Sequence, residues 1–155
     1  MAQYQNMNQT AQTAIKGRVS HLPNPATISV QILPTSVNTF YPAAAVKLAA
    51  GASPTIYVEL ANPGDNIFGF VIWNPKRPNG YLAGGKIEIA LPGSVMEMES
   101  GASFNRGTVL DYSNTGDDAQ QVVTHTTNTP IGLALDQCTG ADQLVRVYIQ
   151  IGLTV

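Results

Sequence analysis

Charge is what this sequence has least of. Of its 155 residues, 12% are Asp, Glu, Lys or Arg, whereas a typical soluble domain carries about 25%. The net charge of −2 is spread thinly, and only Lys76-Arg77 sets two cations side by side. A nucleic-acid binder needs a basic stripe to neutralise phosphates, so no direct nucleic-acid partner is expected. Cys138 is the single cysteine, which excludes an intrachain disulfide and a cysteine-based zinc cluster. The first ten residues, M-A-Q-Y-Q-N-M-N-Q-T, hold neither the basic region nor the apolar run of an export signal. No apolar run approaches the roughly 18 residues of a membrane-spanning helix. The expectation is a chain made and folded in a cytoplasm, without a membrane partner.

Thr, Asn and Gln take the place of the missing charges. Such a surface is polar but weakly self-repelling, which suits a protein that packs against copies of itself or into a larger assembly. An apolar fraction of 44% in a chain of this length is enough for one domain with a real core. Residues 1–16 carry only Tyr4, Met7 and Ile15 as sizeable apolar groups. They read as a flexible arm that could order on a partner, ahead of a single β-rich domain over 17–155.

From Thr27 onward the dominant period is two. T-I-S-V-Q-I, T-I-Y-V-E-L, K-I-E-I-A-L, V-M-E-M-E and L-V-R-V-Y-I-Q-I each put apolar residues on one face and polar residues on the other. That alternation marks strands with one buried face. Ile67–Trp73 is continuously apolar and predicts a strand covered on both sides. Turn residues recur between these runs at Asn62-Pro63-Gly64-Asp65, Asn74-Pro75, Pro78-Asn79-Gly80 and Pro92-Gly93. Only Phe40–Ala50 could hold a short helix, with Pro42 in its first turn. The predicted class is all-β: a compact barrel or sandwich of short antiparallel strands.

Several segments mimic catalytic or ligand-binding motifs. Gly80, four residues, then Gly85-Lys86 matches the start of a phosphate-binding loop. Such a loop needs Ser or Thr after the Lys to hold magnesium, and a helix whose amides face the phosphate. Ile87 follows here and the chain continues as a strand, so the stretch reads as a β-turn. Asp111–Gly116 has the outline of a calcium loop, but Val122 stands where the bidentate Glu belongs. It reads as a polar hairpin loop. His21 and His125 have no acidic or cysteine neighbour at metal-ligand spacing, and read as solvated histidines. Cys138 could meet a His only through the fold. Ser94 lacks the second Gly of a nucleophile elbow. No catalytic residue, metal site or cofactor is predicted, and the chain is not expected to be an enzyme. Trp73 followed by Asn74–Pro78 is a core aromatic leading into a basic loop, and Trp73 and Arg77 are candidates for a partner contact. Gly132 leaves a strand face bare, for a bulge or close approach by another backbone.

The order of segments carries more information than any one motif. Phe40–Leu48 precedes Tyr57–Ala61, then Ile67–Lys76 and Tyr81–Met96, with Arg106–Leu110 and Pro130–Ile149 closing the chain. This succession, above all the closing I-G-x-A-L … V-R-V hairpin, resembles the small cement, or decoration, proteins of tailed-bacteriophage capsids over roughly residues 40 to 151. The resemblance implies a non-enzymatic β-domain on the outer surface of the virion, bound to the assembled major capsid protein. It further implies a homotrimer that bridges neighbouring capsomers. Tyr4, Met7 and Ile15 on the arm, with Trp73 and Arg77, are the expected contacts. The rival expectation is another virion β-module: a spike, a head-fibre base or a carbohydrate-binding module.

Overall fold

Ten short strands form, and alternation places most of them. The computed structural model describes residues 16–19, 26–51, 54–114 and 120–152. The strands are β1 (Thr27–Ile32), β2 (Ala45–Leu48), β3 (Tyr57–Leu60), β4 (Gly69–Val71), β5 (Lys86–Ala90), β6 (Val95–Ser100), β7 (Val109–Asn114), β8 (Gln120–Thr124), β9 (Gly132–Ala134) and β10 (Leu144–Ile149). In β5, Ile87 and Ile89 turn inward while Lys86 and Glu88 face solvent. In β10, Val145, Val147 and Ile149 are buried opposite exposed Arg146. All three residues of β4 are buried. The helix allowed over Phe40–Ala50 is absent: Ala43 adopts a left-handed φ of 65°, and β2 begins two residues later. The three alanines are buried packing residues rather than helix formers.

The strands close into two five-stranded barrels, ordered β1-β3-β2-β4-β5 and β10-β6-β8-β7-β9. All pairings are antiparallel except two, β1 with β3 and β6 with β8, which alternation alone does not reveal. Those two exceptions occupy matching places. Aligning β1 to β5 with β6 to β10 in order makes every pairing of the first barrel recur in the second. The chain is a structural duplication.

The likeness extends to single hydrogen bonds. Phe40 and Tyr81 exchange amide and carbonyl, as do Phe104 and Cys138. The amide of Ala43 donates to Val71, and that of Gly107 to Ala134. Ala43 and Gly107, like Gly84 and Asp142, are equivalent positions that share a positive φ. Gly69 and Gly132 are also equivalent. A Cβ on Gly69 would lie 2.6 Å from the carbonyl oxygen of Ala90, and one on Gly132 2.0 Å from that of Tyr148. The backbone that needs Gly132 bare is therefore the chain's own β10.

The first barrel is filled by Val30, Ile32, Phe40, Val46, Val58, Val71, Ile87 and Ile89. The second core holds Met96, Met98, Leu110, Val122, Val145, Val147 and Ile149, and extends outward to Ala43, Ala45, Ala61, Phe70 and Ala90 on the back of the first barrel. Small alanines let the barrels approach closely. Phe70 of β4 meets Tyr112 of β7 edge-on, with ring centroids 6.4 Å apart. Successive residues of β4 thus serve different cores, which is why that strand is apolar throughout. Each such side chain, fully buried, contributes about 1.5–3 kcal/mol of transfer free energy.

Residues Lys16–Val19 strap the two barrels together. Gly17 donates its amide to Glu97 and accepts from the amide of Trp73, while Val19 bridges to Met96. Lys16 and Arg18 also pair with Glu99 and Glu97.

Candidate interaction surface

The duplication supplies an internal standard, because each loop can be measured against its counterpart. After β1 the chain takes residues 33–39 to reach Phe40, whereas after β6 it takes only 101–103 to reach Phe104. Between β4 and Tyr81 lie residues 72–80, whereas between β9 and Cys138 lie only 135–137. Both enlargements belong to the first barrel, and the Phe40–Tyr81 bridge ties their ends together. A fold element needs neither insertion, since the second barrel closes without them.

The enlarged loops frame two grooves that share Tyr81 and Lys86. One, of about 380 Å³, is lined by Trp73, Asn74, Glu88 and Ser29 among others. The other, of about 520 Å³, is lined by Tyr41, Arg77, Leu82 and the backbone of Gly84 and Gly85 among others. Two aliphatic residues here are conspicuously exposed: Leu82 at 70%, in the lining of the second groove, and Val37 at 95%, on the enlarged 33–39 loop.

Charges sort unevenly between this end and the rest. Lys47 binds Asp65 at 3.0 Å and Glu59 at 3.4 Å. The Asp65 carboxyl is held below the usual carboxylate range by the Asn62 amide, then by Lys47. Arg146 grips Asp136 through Nε and Nη2 at 2.9 and 2.7 Å, and this fork lowers the Asp136 carboxyl likewise. Among the described residues, Lys76, Arg77, Lys86 and Arg106 have no carboxylate within ion-pair distance. The first three sit on or beside the enlarged loop, and Arg106 stands alone on a short turn of the second barrel. The sheet positions that hold Glu97, Arg146 and Asp136 in the second barrel are taken by Ser29, Glu88 and Trp73 in the first. An ion-paired face has become a groove wall.

Trp73 is half-buried at the first groove, with its amide fixed by Gly17, and Arg77 is exposed at the second. Sequence reasoning chose both and missed Lys86, Leu82 and Val37, which gain significance only when the two barrels are compared. Tyr4, Met7, Ile15 and His21 lie outside the described residues.

The segments that mimic catalytic motifs resolve into structure. Gly80 and Gly84 are turn residues with positive φ, and Lys86 opens β5. Asp111 is not in a loop but in β7. It is buried and accepts hydrogen bonds from the Thr126 amide at 2.9 Å and pairs with His125 Nδ1 at 2.6 Å. His125 therefore has the acidic partner that its sequence neighbourhood lacks, because the β7–β8 hairpin folds Asp111 onto it. The Cys138 thiol is buried and donates to the Ala102 carbonyl, so it is not paired with His125. Ser94 is buried and donates to the Ala26 carbonyl. Among the described residues no group of three His, Cys, Asp or Glu side chains could hold a metal ion.

No known protein family matches the chain, nor does any curated protein. Among solved structures, the head fibre gp8.5 N base of bacteriophage phi29 is similar. The likeness has a TM-score of 0.54 and covers 84% of this chain and 98% of that one, at 14% identity. At that identity what the two share is the fold.

Proposed function

We propose that this chain is a structural protein of a bacteriophage virion, carried on the outer surface of the capsid and bound to the assembled major capsid protein. The observation that carries the reading is the fold likeness to a phage head-fibre base, which takes in nearly the whole of that base. The order of sequence segments points to the same class of protein from a separate direction. The enlarged, unevenly charged end of the first barrel is the kind of surface such a role requires.

Within that class, the reading is a cement protein, a homotrimer that bridges neighbouring capsomers. Contacts that are weak singly become strong when an oligomer engages several sites of a repeating shell at once. The second reading, a head-fibre base, has the fold likeness directly in its favour. The two differ in what attachment does. Cement raises the resistance of the shell to heat and low salt, whereas a fibre base occupies the shell without strengthening it.

The test is to add the purified protein to expanded capsids lacking it, then measure binding and the temperature at which the shells open. Binding with a rise in opening temperature supports cement, and binding without a rise supports a fibre base. Absence of binding removes both. Deleting residues 1–16 should weaken attachment while leaving the barrels folded, and unchanged attachment would remove the arm from the interface.

A further inference from the structure

The groove between the two enlarged loops of the first barrel has a definite chemical character. Its wall contains Arg77 and Lys86 and no carboxylate. Neither cation has a carboxylate within ion-pair distance among the described residues, and Lys76 adjoins them in the same state. Glu88, the nearest acid along β5, lines the neighbouring groove instead. Desolvating three unpaired cations against an apolar partner would cost free energy, so the surface favours a partner that brings negative charge.

The same surface is apolar in patches. Leu82 lines the groove at 70% exposure, and Val37, two residues before the lining residue Thr39 on the enlarged loop, is 95% exposed. Tyr41 adds a half-buried aromatic wall, and the Gly84–Gly85 backbone forms part of the floor. Two counts argue against a polyanion such as a nucleic acid. Three cations are few for neutralising a phosphate chain, and exposed aliphatic side chains gain nothing from it. They gain from the apolar groups of a protein.

We infer that this groove receives an acidic segment of another protein, one that sets carboxylates beside aliphatic side chains. Arg77 and Lys86 meet the carboxylates, Leu82 and Val37 the apolar groups, and the bare glycine backbone allows the segment to approach closely. The second barrel serves as the natural control, because it lacks both enlargements: Leu144 stands where Lys86 does, and nothing corresponds to Arg77. The inference deepens the shell-binding reading, since the segment would there belong to the shell, but its first test does not depend on that reading.

The first test uses the whole chain and a labelled peptide of alternating Glu and Leu, followed by fluorescence anisotropy at low salt. The expected result is saturable binding that R77E/K86E weakens about tenfold or more, by exchanging attraction for repulsion at two sites. Replacing Glu by Gln in the peptide should weaken it similarly, and L82D should weaken it as well. R106E, on a short turn of the second barrel, should leave it unchanged. No binding, or binding indifferent to R77E/K86E, overturns the inference. So does a single-stranded oligonucleotide of equal charge that binds as tightly and with the same sensitivity.

The second test repeats R77E/K86E on expanded capsids. Loss of attachment supports the inference. Undiminished attachment overturns it while leaving shell binding intact. Peptide binding as expected with no attachment even of the unaltered protein upholds the groove and removes the shell reading.

Discussion

Substituting Gly132 by alanine should be far more damaging than a single methyl group suggests. Its Cβ would stand 2.0 Å from the Tyr148 carbonyl oxygen, well over an ångström short of ordinary van der Waals contact, and 3.2 Å from Val147 Cγ1, a few tenths short of it. Gly132 is in register with Ile149 of β10 on one side and Leu110 of β7 on the other. The strand therefore cannot move away from β10 without disturbing the opposite pairing. Overpacking a core costs about 1–3 kcal/mol, and a backbone obstacle cannot rotate aside, so about 3–4 kcal/mol is expected for G132A. The equivalent G69A meets the Ala90 oxygen at 2.6 Å and should cost about 2–3 kcal/mol. G107A, with φ of 82° and nothing within 4 Å of the added methyl, should cost only the left-handed penalty of about 1 kcal/mol. The assay is urea unfolding followed by far-ultraviolet circular dichroism and by fluorescence of Trp73, the single tryptophan. For a chain of this length the melting temperature moves about 2–4 °C per kcal/mol, which puts G132A about 10 °C below the parent. Trp73 lies in the first barrel and Gly132 in the second, yet both probes should shift together, because one core spans the barrels. A G132A protein within 0.5 kcal/mol of the parent would refute the reasoning, as would a Trp73 transition that stays put while the dichroism moves.

Tyr112 is buried between the barrels, its hydroxyl approached by the Ala45 backbone but without a hydrogen bond of good geometry. Burial pushes its phenol well above the ordinary tyrosine range, so the group stays protonated when folded and contributes stability that is lost as pH rises past about 10, where the unfolded chain ionises. Y112F should be neutral or slightly stabilising at pH 7 and should flatten the alkaline fall in stability; an unchanged alkaline limb would contradict this. Asp136 works in the opposite sense. Its carboxyl is depressed by Arg146, so D136N should lower stability by less than about 1 kcal/mol at neutral pH, and the deficit should vanish as acid titrates the carboxylate below the usual range. A deficit that persists at pH 2 would show that the loss comes from packing rather than charge.

The strands were legible because burial on one face leaves a period of two, and β1, β5, β6 and β10 sit where that period put them. β4 was legible for the opposite reason, as its neighbours lie in different cores. The duplication was not legible. Its two copies are offset by 68 residues at β1 and β6, 64 at β2 and β7, 63 at β4 and β9, and 58 at β5 and β10, so no fixed repeat length exists to be found. The traces that survive are backbone demands: bare glycine at 69 and 132, left-handed backbone at 43 and 107. The parallel pairs were hidden too, because alternation reports which face is buried and not which strand lies alongside. Asp111 and His125 are 14 positions apart, and only the hairpin makes them neighbours. At the candidate surface, Arg77 stood out through its proline-rich loop. Lys86 looked like an ordinary outward residue of a strand, and nothing local to it tells that its groove holds a second cation, Arg77, and no carboxylate.

Closure of both barrels has a consequence for how this protein can associate. A sheet that ends in an unpaired strand offers a row of free amides and carbonyls, a template on which identical chains can grow into fibres. Here the first strand of each barrel is bonded on both sides, to β3 and β5 in one case and to β8 and β10 in the other. Among the described strands no such row is left open. With so little net charge to hold copies apart, that closure guards against sticking when many copies crowd together. Recognition then falls to side chains in the enlarged loops, which discriminate between partners as a generic backbone ladder does not.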